Sequence, residues 1–135
     1  MTEAPILDTH AWIWWVTGDR RLAKSVGAVL DDFPSDRRPV LCDISLWEVA
    51  TLHEKGRIRF AIPLEEWLGA AAHPRTVRLV PITAAIAAEV AALPKTFHRD
   101  PADRLIVATC RAMKLPLLSK DNLIIRSRLI TKWEP

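Results

Sequence analysis

The chain has 135 residues, of which 50% are hydrophobic and 26% are charged, with a formal net charge of +3. This is the length of one domain that can bury a core without metal or disulfide bonds, so residues 1–135 are predicted to form a single domain. The small positive charge permits a nucleic-acid partner but does not imply one.

Cysteine use and hydropathy exclude several classes of protein. Cys42 and Cys110 form no C-x-x-C motif and have no histidine at zinc-ligand spacing, which predicts reduced thiols in the core of a cytoplasmic protein. The longest apolar stretch, AAIAAEVAAL, contains Glu89 and is too short to span a bilayer. The N-terminus has no apolar signal-peptide region. The sequence therefore predicts a soluble protein that is not secreted and has no membrane partner.

Short apolar segments of strand length alternate with longer segments of helical length. In chain order, the pattern predicts a strand at 5–8, helices at 11–16 and 21–33, a strand at 39–42, helices at 44–56 and 64–72, a strand at 78–82, helices at 82–93 and 102–114, a strand at 116–119 and a short helix at 122–129. This alternation predicts the α/β class, with a mostly parallel sheet covered on both faces.

The stretch HRDPADRLIVATC, residues 98–110, begins a very apolar helix with two carboxylates. Asp100, Pro101 and Asp103 have the positions of N-cap, N1 and N3, which predicts that Asp100 caps the helix. The helix that follows has almost no polar stripe and is expected to be buried. Asp103 is then held in a fixed position at the edge of the sheet.

Three further acids lie just after a predicted strand or near the start of the helix that follows it. The four acids are Asp8, Glu48, Asp103 and Asp121. Because the carboxyl ends of parallel strands share one edge, where ligands bind, these side chains are expected to converge. Each could instead be a helix cap, and Ser45 with Glu48 matches a capping box. Uncharged residues would cap equally well, however, without gathering like charges.

Converging carboxylates repel one another, so a proton or a cation must compensate their charge. Mg²⁺ or Mn²⁺ suits oxygen ligands of this kind. Such a site supports metal-assisted hydrolysis of a phosphodiester, which needs no protein nucleophile. The sequence accordingly lacks the G-x-S-x-G, Walker A and G-x-G-x-x-G motifs.

Four segments, in this order and at this spacing, resemble the PIN-domain ribonucleases, specifically the VapC-type toxins of toxin–antitoxin pairs. They are LDTHAWIWW, ISLWEVATLHEKGRI, FHRDPADRLIVATC and PLLSKD, and the resemblance covers about residues 6–122. It implies an α/β/α sandwich that cleaves single-stranded regions of RNA with Mg²⁺ or Mn²⁺. It also implies an antitoxin partner.

The resemblance implies a role for each residue that matches the motifs. By position, Asp8, Glu48, Asp103 and Asp121 would bind metal and carry catalysis. Thr9 and Ser119 would orient carboxylates or waters, and Asp100 would mainly cap its helix, with at most an indirect role at the metal.

Several other residues have two interpretations each. His10 could act as a general acid or contact phosphate, and His98 likewise, although solvent exposure or ordinary hydrogen bonding explains both. Arg104 could bind phosphate or pair with a site carboxylate. Basic residues near the edge, among them Arg57 and Lys120, could bind RNA or simply be solvated. The six tryptophans are expected to fill the core and interfaces with an antitoxin or a homodimer partner, with base stacking as the alternative.

Three other classes of protein share parts of this pattern. A haloacid-dehalogenase-like phosphatase needs a second aspartate two residues after the first, where this chain has His10. A receiver domain needs an aspartate at the end of its middle strand, and Asp43 has no acidic partner beside Asp8. A non-catalytic RNA- or protein-binding relative would be expected to have lost one of the four acids.

Overall fold

The structure is a computed structural model that describes residues 3–135. Its elements in chain order are β1 (Ile6–Leu7), α1 (Thr9–Thr17), α2 (Lys24–Asp32), β2 (Val40–Cys42), α3 (Ile44–Glu54), α4 (Leu64–Ala71), β3 (Arg78–Val80), α5 (Ala84–Ala92), α6 (Pro101–Met113), β4 (Leu117–Leu118) and α7 (Asn122–Arg126). The predicted order of strands and helices is confirmed, with shorter strands than the apolar segments suggested.

The four strands form one parallel sheet in the order β3-β2-β1-β4. Successive residues of the inner strand β1 face opposite sides of the sheet. Leu7 packs into a core with residues of α1 to α4, whereas Ile6 packs into a second core with residues of α6 and α7. Because both faces of the sheet are covered, the predicted three-layer α/β/α sandwich is confirmed. Cys42 and Cys110 are both buried in the second core.

The two edges of the sheet differ. The C-terminal segment covers the outer edge of β4, where Leu117 N–H donates to the Thr131 carbonyl and Trp133 N–H donates to the Leu117 carbonyl. The side chain of Trp133 then enters the first core. The other edge strand, β3, leaves Leu79 exposed. No helix in residues 3–135 is long and apolar enough to cross a membrane.

Helix α6 forms the rigid support that the sequence predicted. The Oδ1 atom of Asp100 accepts a hydrogen bond from Asp103 N–H at 3.0 Å, so the predicted cap is confirmed. Ile106, Val107 and Ala108 are fully buried. The first turn of α6, which carries Asp103, is therefore fixed against the sheet.

Candidate functional site

Four carboxylates come from four different parts of the chain to the carboxyl edge of the sheet. Asp8 directly follows β1, Asp121 begins α7 after β4, and Asp103 lies in the first turn of α6. Glu48 lies in the second turn of α3. We call these four residues the acidic cluster.

The electrostatics of Asp103 show that the cluster converges. Burial is the largest cause of a pKa raised to about 8, and the charges of Asp8, Asp100, Glu48 and Asp121 raise it further, in that order. The side chain is only 15% exposed, so water screens these charges incompletely. Within residues 3–135, no lysine or arginine forms an ion pair with any of the four acids.

Glu48 has one carboxylate oxygen that the fold leaves unpaired. Burial raises its pKa, and the charges of Asp8 and Asp100 add to that effect, while the nearby Thr9 hydroxyl opposes it. Its Oε1 atom is buried and has no hydrogen-bond partner within the described residues. Buried polar atoms are normally paired, and an unpaired one in a cleft suggests a missing ligand.

The predicted capping box at the start of α3 is wrong. Asp43, not Ser45, is the N-cap of α3, and its side chain makes no capping hydrogen bond. Ser45 is buried, and its Oγ lies 2.8 Å from Thr9 Oγ1 in a hydrogen bond that joins α3 to α1. The sequence interpretation therefore missed Ser45 as a support of the site, because its spacing to Glu48 imitates a cap.

Asp8 is the most tightly held acid. Its Oδ1 accepts from Thr9 N–H at 2.8 Å, and its Oδ2 accepts from Ser119 Oγ at 2.7 Å. The Ser119 hydroxyl oxygen in turn accepts from Asp121 N–H at 3.0 Å, which links β4 to the start of α7. Burial raises the pKa of Asp8, and the hydrogen bond from Ser119 partly offsets this. Ser119 thus fixes two acids of the cluster at once.

Asp121 and Asp8 each cap a helix and also belong to the acidic cluster. The Oδ1 atom of Asp121 accepts from Leu123 N–H at 2.8 Å, as a helix cap does. Asp8 is likewise the N-cap of α1. Each has one carboxylate oxygen in a capping bond, so these bonds account for only part of either carboxylate.

The two histidines beside the cluster have different surroundings. His98 Nε2 lies 3.4 Å from Asp103 Oδ2, an ion pair when the imidazole is protonated. His10 is exposed and packs against Trp14 with ring centroids 5.8 Å apart. His98 is therefore closer to an acid of the cluster than the sequence suggested.

The suggested pairing of Arg104 with a site carboxylate is wrong within the described residues. Its guanidinium donates to the carbonyl oxygens of Phe97 and His98, both at 3.2 Å, and to that of Val90 at 3.5 Å. These bonds anchor the loop before α6. Arg104 positions the segment that carries His98, and it does not neutralise the cluster.

The residues of the cluster fit a hard divalent cation. All its donors are carboxylate oxygens, one of which, in Glu48, is unpaired, and the pKa of Asp103 is raised by burial and then by the charges of neighbouring acids. No group of three or more His, Cys, Asp or Glu side chains in residues 3–135 is already arranged to enclose a metal ion. Mg²⁺ does not require one, because it commonly binds through one or two carboxylates and keeps several waters.

A cleft of about 590 Å³ opens beside the acidic cluster. Glu48 is the residue of the acidic cluster that lines it, together with Asp100, His10, Trp14 and Trp47. Further residues of its lining are Arg21, Lys55 and Arg57.

Comparison with known proteins identifies the protein family. The family model of the PIN domain matches residues 6–127. The chain belongs to this family. It is 39% identical to Ribonuclease VapC22 of Mycobacterium tuberculosis over 132 residues, which are 95% of this chain and 97% of that protein. The resemblance to VapC-type PIN domains is therefore confirmed.

A solved structure shows the same fold at lower sequence similarity. It is a chain of a toxin–antitoxin complex from Klebsiella pneumoniae, with a TM-score of 0.60, 19% identity and 87% of both chains covered. Membership of the PIN family excludes the receiver-domain and dehalogenase-like alternatives.

Replacing Ser119 by alanine is expected to weaken divalent-metal binding by roughly 10- to 100-fold, since side chains that orient ligands have effects of this size. The change removes the hydroxyl that donates to Asp8 Oδ2. Calorimetric titration with Mn²⁺ measures the effect. Ser127→Ala is the matched control, because that hydroxyl donates to the Ile124 carbonyl instead. Equal affinities in the two variants would contradict the prediction.

The PIN domain without metal is expected to lose stability as pH rises from about 4 to above 8. The folded pKa of Asp103 is about 8 against an ordinary 3.8, so the folded state holds a proton that the unfolded state releases. The stabilisation that this proton gives the folded state is complete below the ordinary pKa of 3.8, and it is lost as the pH rises through the folded pKa of about 8. Melting curves in EDTA between pH 5 and 9 measure this trend, and Mg²⁺ should raise the melting temperature more at pH 8.5 than at pH 6. A stabilisation by Mg²⁺ that does not depend on pH would contradict it.

Proposed function

We propose that this PIN domain is a Mg²⁺- or Mn²⁺-dependent endoribonuclease that acts in the cytoplasm as the toxin of a toxin–antitoxin pair. The observation that carries the proposal is the acidic cluster of carboxylate oxygens, in which burial, followed by the charges of neighbouring acids, raises the pKa of Asp103 to about 8. Its similarity to a protein named Ribonuclease VapC22 supports RNA as the substrate.

Asp8, Glu48, Asp103 and Asp121 would hold the cation. When bound, the cation supplies the positive charge that activates a water and stabilises the charge on the phosphate. Within the described residues the Asp103 side chain accepts no hydrogen bond, and His98 Nε2 lies 3.4 Å from its Oδ2 without forming one, so its oxygens remain available to a cation.

The surrounding residues prepare these carboxylates. Ser119 orients Asp8 through its 2.7 Å hydrogen bond, and the pair of hydroxyls in Thr9 and Ser45 joins α1 to α3 beside Glu48. His98, whose Nε2 lies 3.4 Å from Asp103 Oδ2, would give a proton to the oxygen that leaves the cleaved phosphate or hold Asp103 in place. Asp100 keeps α6 in its capped geometry.

The proposal includes two protein partners. An antitoxin would cover the cleft beside the acidic cluster and so block access of RNA, and a second copy of the chain would form a homodimer. The similarity to a chain whose structure is titled a toxin–antitoxin complex supports the first partner. Co-purification with the product of a neighbouring short reading frame tests it, and harmless overexpression of the chain alone would count against a toxin.

The nuclease test uses labelled structured RNAs with Mg²⁺, with Mn²⁺ and with EDTA. The proteins are the wild type, Asp8→Asn, Asp103→Asn and the control Asp36→Asn, which changes an acid whose side chain is 81% exposed. A circular RNA is included, because only an endonuclease cuts it. Cleavage of the circle that needs metal and both cluster acids would support the proposal. RNA binding without cleavage in either metal would mean that the chain is a non-catalytic relative of these ribonucleases.

A further inference from the structure

The position of Trp47 is not explained by the packing of the protein. Its side chain is 52% exposed, and it belongs to neither hydrophobic core, whereas Trp12 is fully buried. An exposed indole forgoes the free energy that burial of its large apolar surface would provide. Trp47 precedes Glu48, whose unpaired oxygen belongs to the acidic cluster.

Trp47 lines the cleft that begins at this cluster, and Trp14 of α1 lines it as well. Arg21 is in the same cleft, but its charge is already used. It forms a 2.7 Å ion pair with Asp19 and lies over the Trp14 ring at 5.1 Å. The cleft therefore combines the aromatic surface of two tryptophans with an arginine that is already paired.

Two cations of this cleft are free to bind an anion. Lys55 and Arg57 are exposed, and within the described residues neither forms an ion pair. Lys55 follows Trp47 by eight positions, which corresponds to about 12 Å along α3 at 1.5 Å per residue. Trp47, Glu48 of the acidic cluster and the two cations thus follow one another in that order along α3 and the residues after it.

We propose that Trp47 stacks on an unpaired base of the RNA beside the cleaved phosphate, while Lys55 and Arg57 bind phosphates farther along the strand; the inference rests on the nuclease function proposed above. Every base presents a face to an indole, so this contact tolerates many sequences. It also requires a base that is free of a duplex, so it selects single-stranded regions. The unpaired cations beside the indole favour a polyanion over a peptide as the occupant.

Binding is tested in the Asp103→Asn protein, which keeps the RNA uncut. The probes are a labelled single strand of twelve uridines and the same strand paired with twelve adenosines. Adding Trp47→Ala should weaken single-strand binding roughly 5- to 100-fold, as the loss of one stacked base does. Trp47→Phe should retain most of the affinity, and Ile62→Ala, which changes an exposed apolar side chain outside this cleft, should retain all of it. Duplex binding should not respond to Trp47→Ala.

Salt dependence tests the two cations. Replacing both Lys55 and Arg57 by alanine should reduce the slope of log affinity against log salt by about 1.4, since each contact of a single strand with phosphate contributes about 0.7. An unchanged slope would remove these residues from the binding site.

Cleavage assays separate this inference from the function on which it rests. In the otherwise unchanged protein, Trp47→Ala should raise KM at least 5-fold for a single-stranded substrate. Equal binding and KM in Trp47→Ala and wild type would overturn the inference while leaving the nuclease intact. Loss of antitoxin binding in Trp47→Ala, with RNA binding unchanged, would overturn it too and make the cleft a protein-docking surface. Binding that depends on Trp47, in a wild type that cuts no RNA, would instead overturn the nuclease.

Discussion

Replacing Asp103 by asparagine is expected to lower RNA cleavage by about 100-fold or more, because the change removes a proposed metal-binding charge and a bound cation contributes several kcal/mol to the transition state. The asparagine has nearly the same shape, and the backbone N–H of residue 103 still donates to Asp100. The loss should therefore come from chemistry and not from misfolding. Steady-state cleavage in Mg²⁺ measures it.

The same substitution is expected to stabilise the protein without metal at pH 8.5. At that pH the carboxyl group of Asp103 is largely ionised, beside the charges of Asp8 and Glu48 and with little water to screen them. Asparagine removes this repulsion, and the melting temperature in EDTA should rise by several degrees, since about 1 kcal/mol corresponds to roughly 3–6 °C in a domain of this size. The gain should disappear near pH 5, where Asp103 is already protonated.

Asp36→Asn is the matched control for both effects. It makes the same chemical change at a side chain that is 81% exposed, and Asp36 is not among the acids whose charges raise the pKa of Asp103. Its cleavage rate and melting temperature should stay close to wild type. If Asp103→Asn cleaves as well as Asp36→Asn, the acidic cluster does not carry the reaction through Asp103.

Replacing Trp12 by alanine is expected to reduce the free energy of unfolding by about 3–5 kcal/mol, the usual cost of removing a large buried aromatic side chain. Trp12 is 0% exposed, and its indole Nε1 donates to the Ala71 carbonyl at 2.9 Å, which joins α1 to the end of α4. Its ring also packs against Trp67 with centroids 5.4 Å apart. The substitution leaves a cavity and an unpaired buried carbonyl.

Urea unfolding measured in EDTA determines this loss independently of metal. Trp47→Ala makes the same chemical change at a side chain that is 52% exposed, and it should cost less than about 1 kcal/mol. A similar loss in both variants would mean that burial does not distinguish the two tryptophans.

The sequence was sufficient for the order of strands and helices and for the parallel sheet. Apolar segments such as that around Leu41 have strand length, the longer segments between them have helical length, and this local alternation admits few arrangements. The cap at Asp100 could also be read from the sequence, because Asp-Pro before an apolar helix satisfies free N–H groups within a single turn.

Other features could not be read from local sequence. The start of α3 imitates a capping box, yet Ser45 bonds to Thr9 across 36 positions of the chain. Arg104 follows Asp103 directly, but its guanidinium points to the carbonyls of Phe97 and His98. A side chain with several donors or acceptors bonds to the groups that lie near it in the folded protein. Separation along the sequence does not predict which groups those are.

The sequence by itself determined the fold class, the family and the identity of the acids at the carboxyl ends of the strands, since these depend on residue order and on local preferences. Only the tertiary structure decided how the acids act on one another. Burial and the approach of Asp8, Asp100, Glu48 and Asp121 raise the pKa of Asp103 to about 8, and Ser119 reaches Asp8 across 111 positions. The exposure of Trp47 beside the cluster was decided in the same way. Electrostatic interaction, burial and hydrogen bonding depend on distances through space, and those distances exist only once the chain has folded.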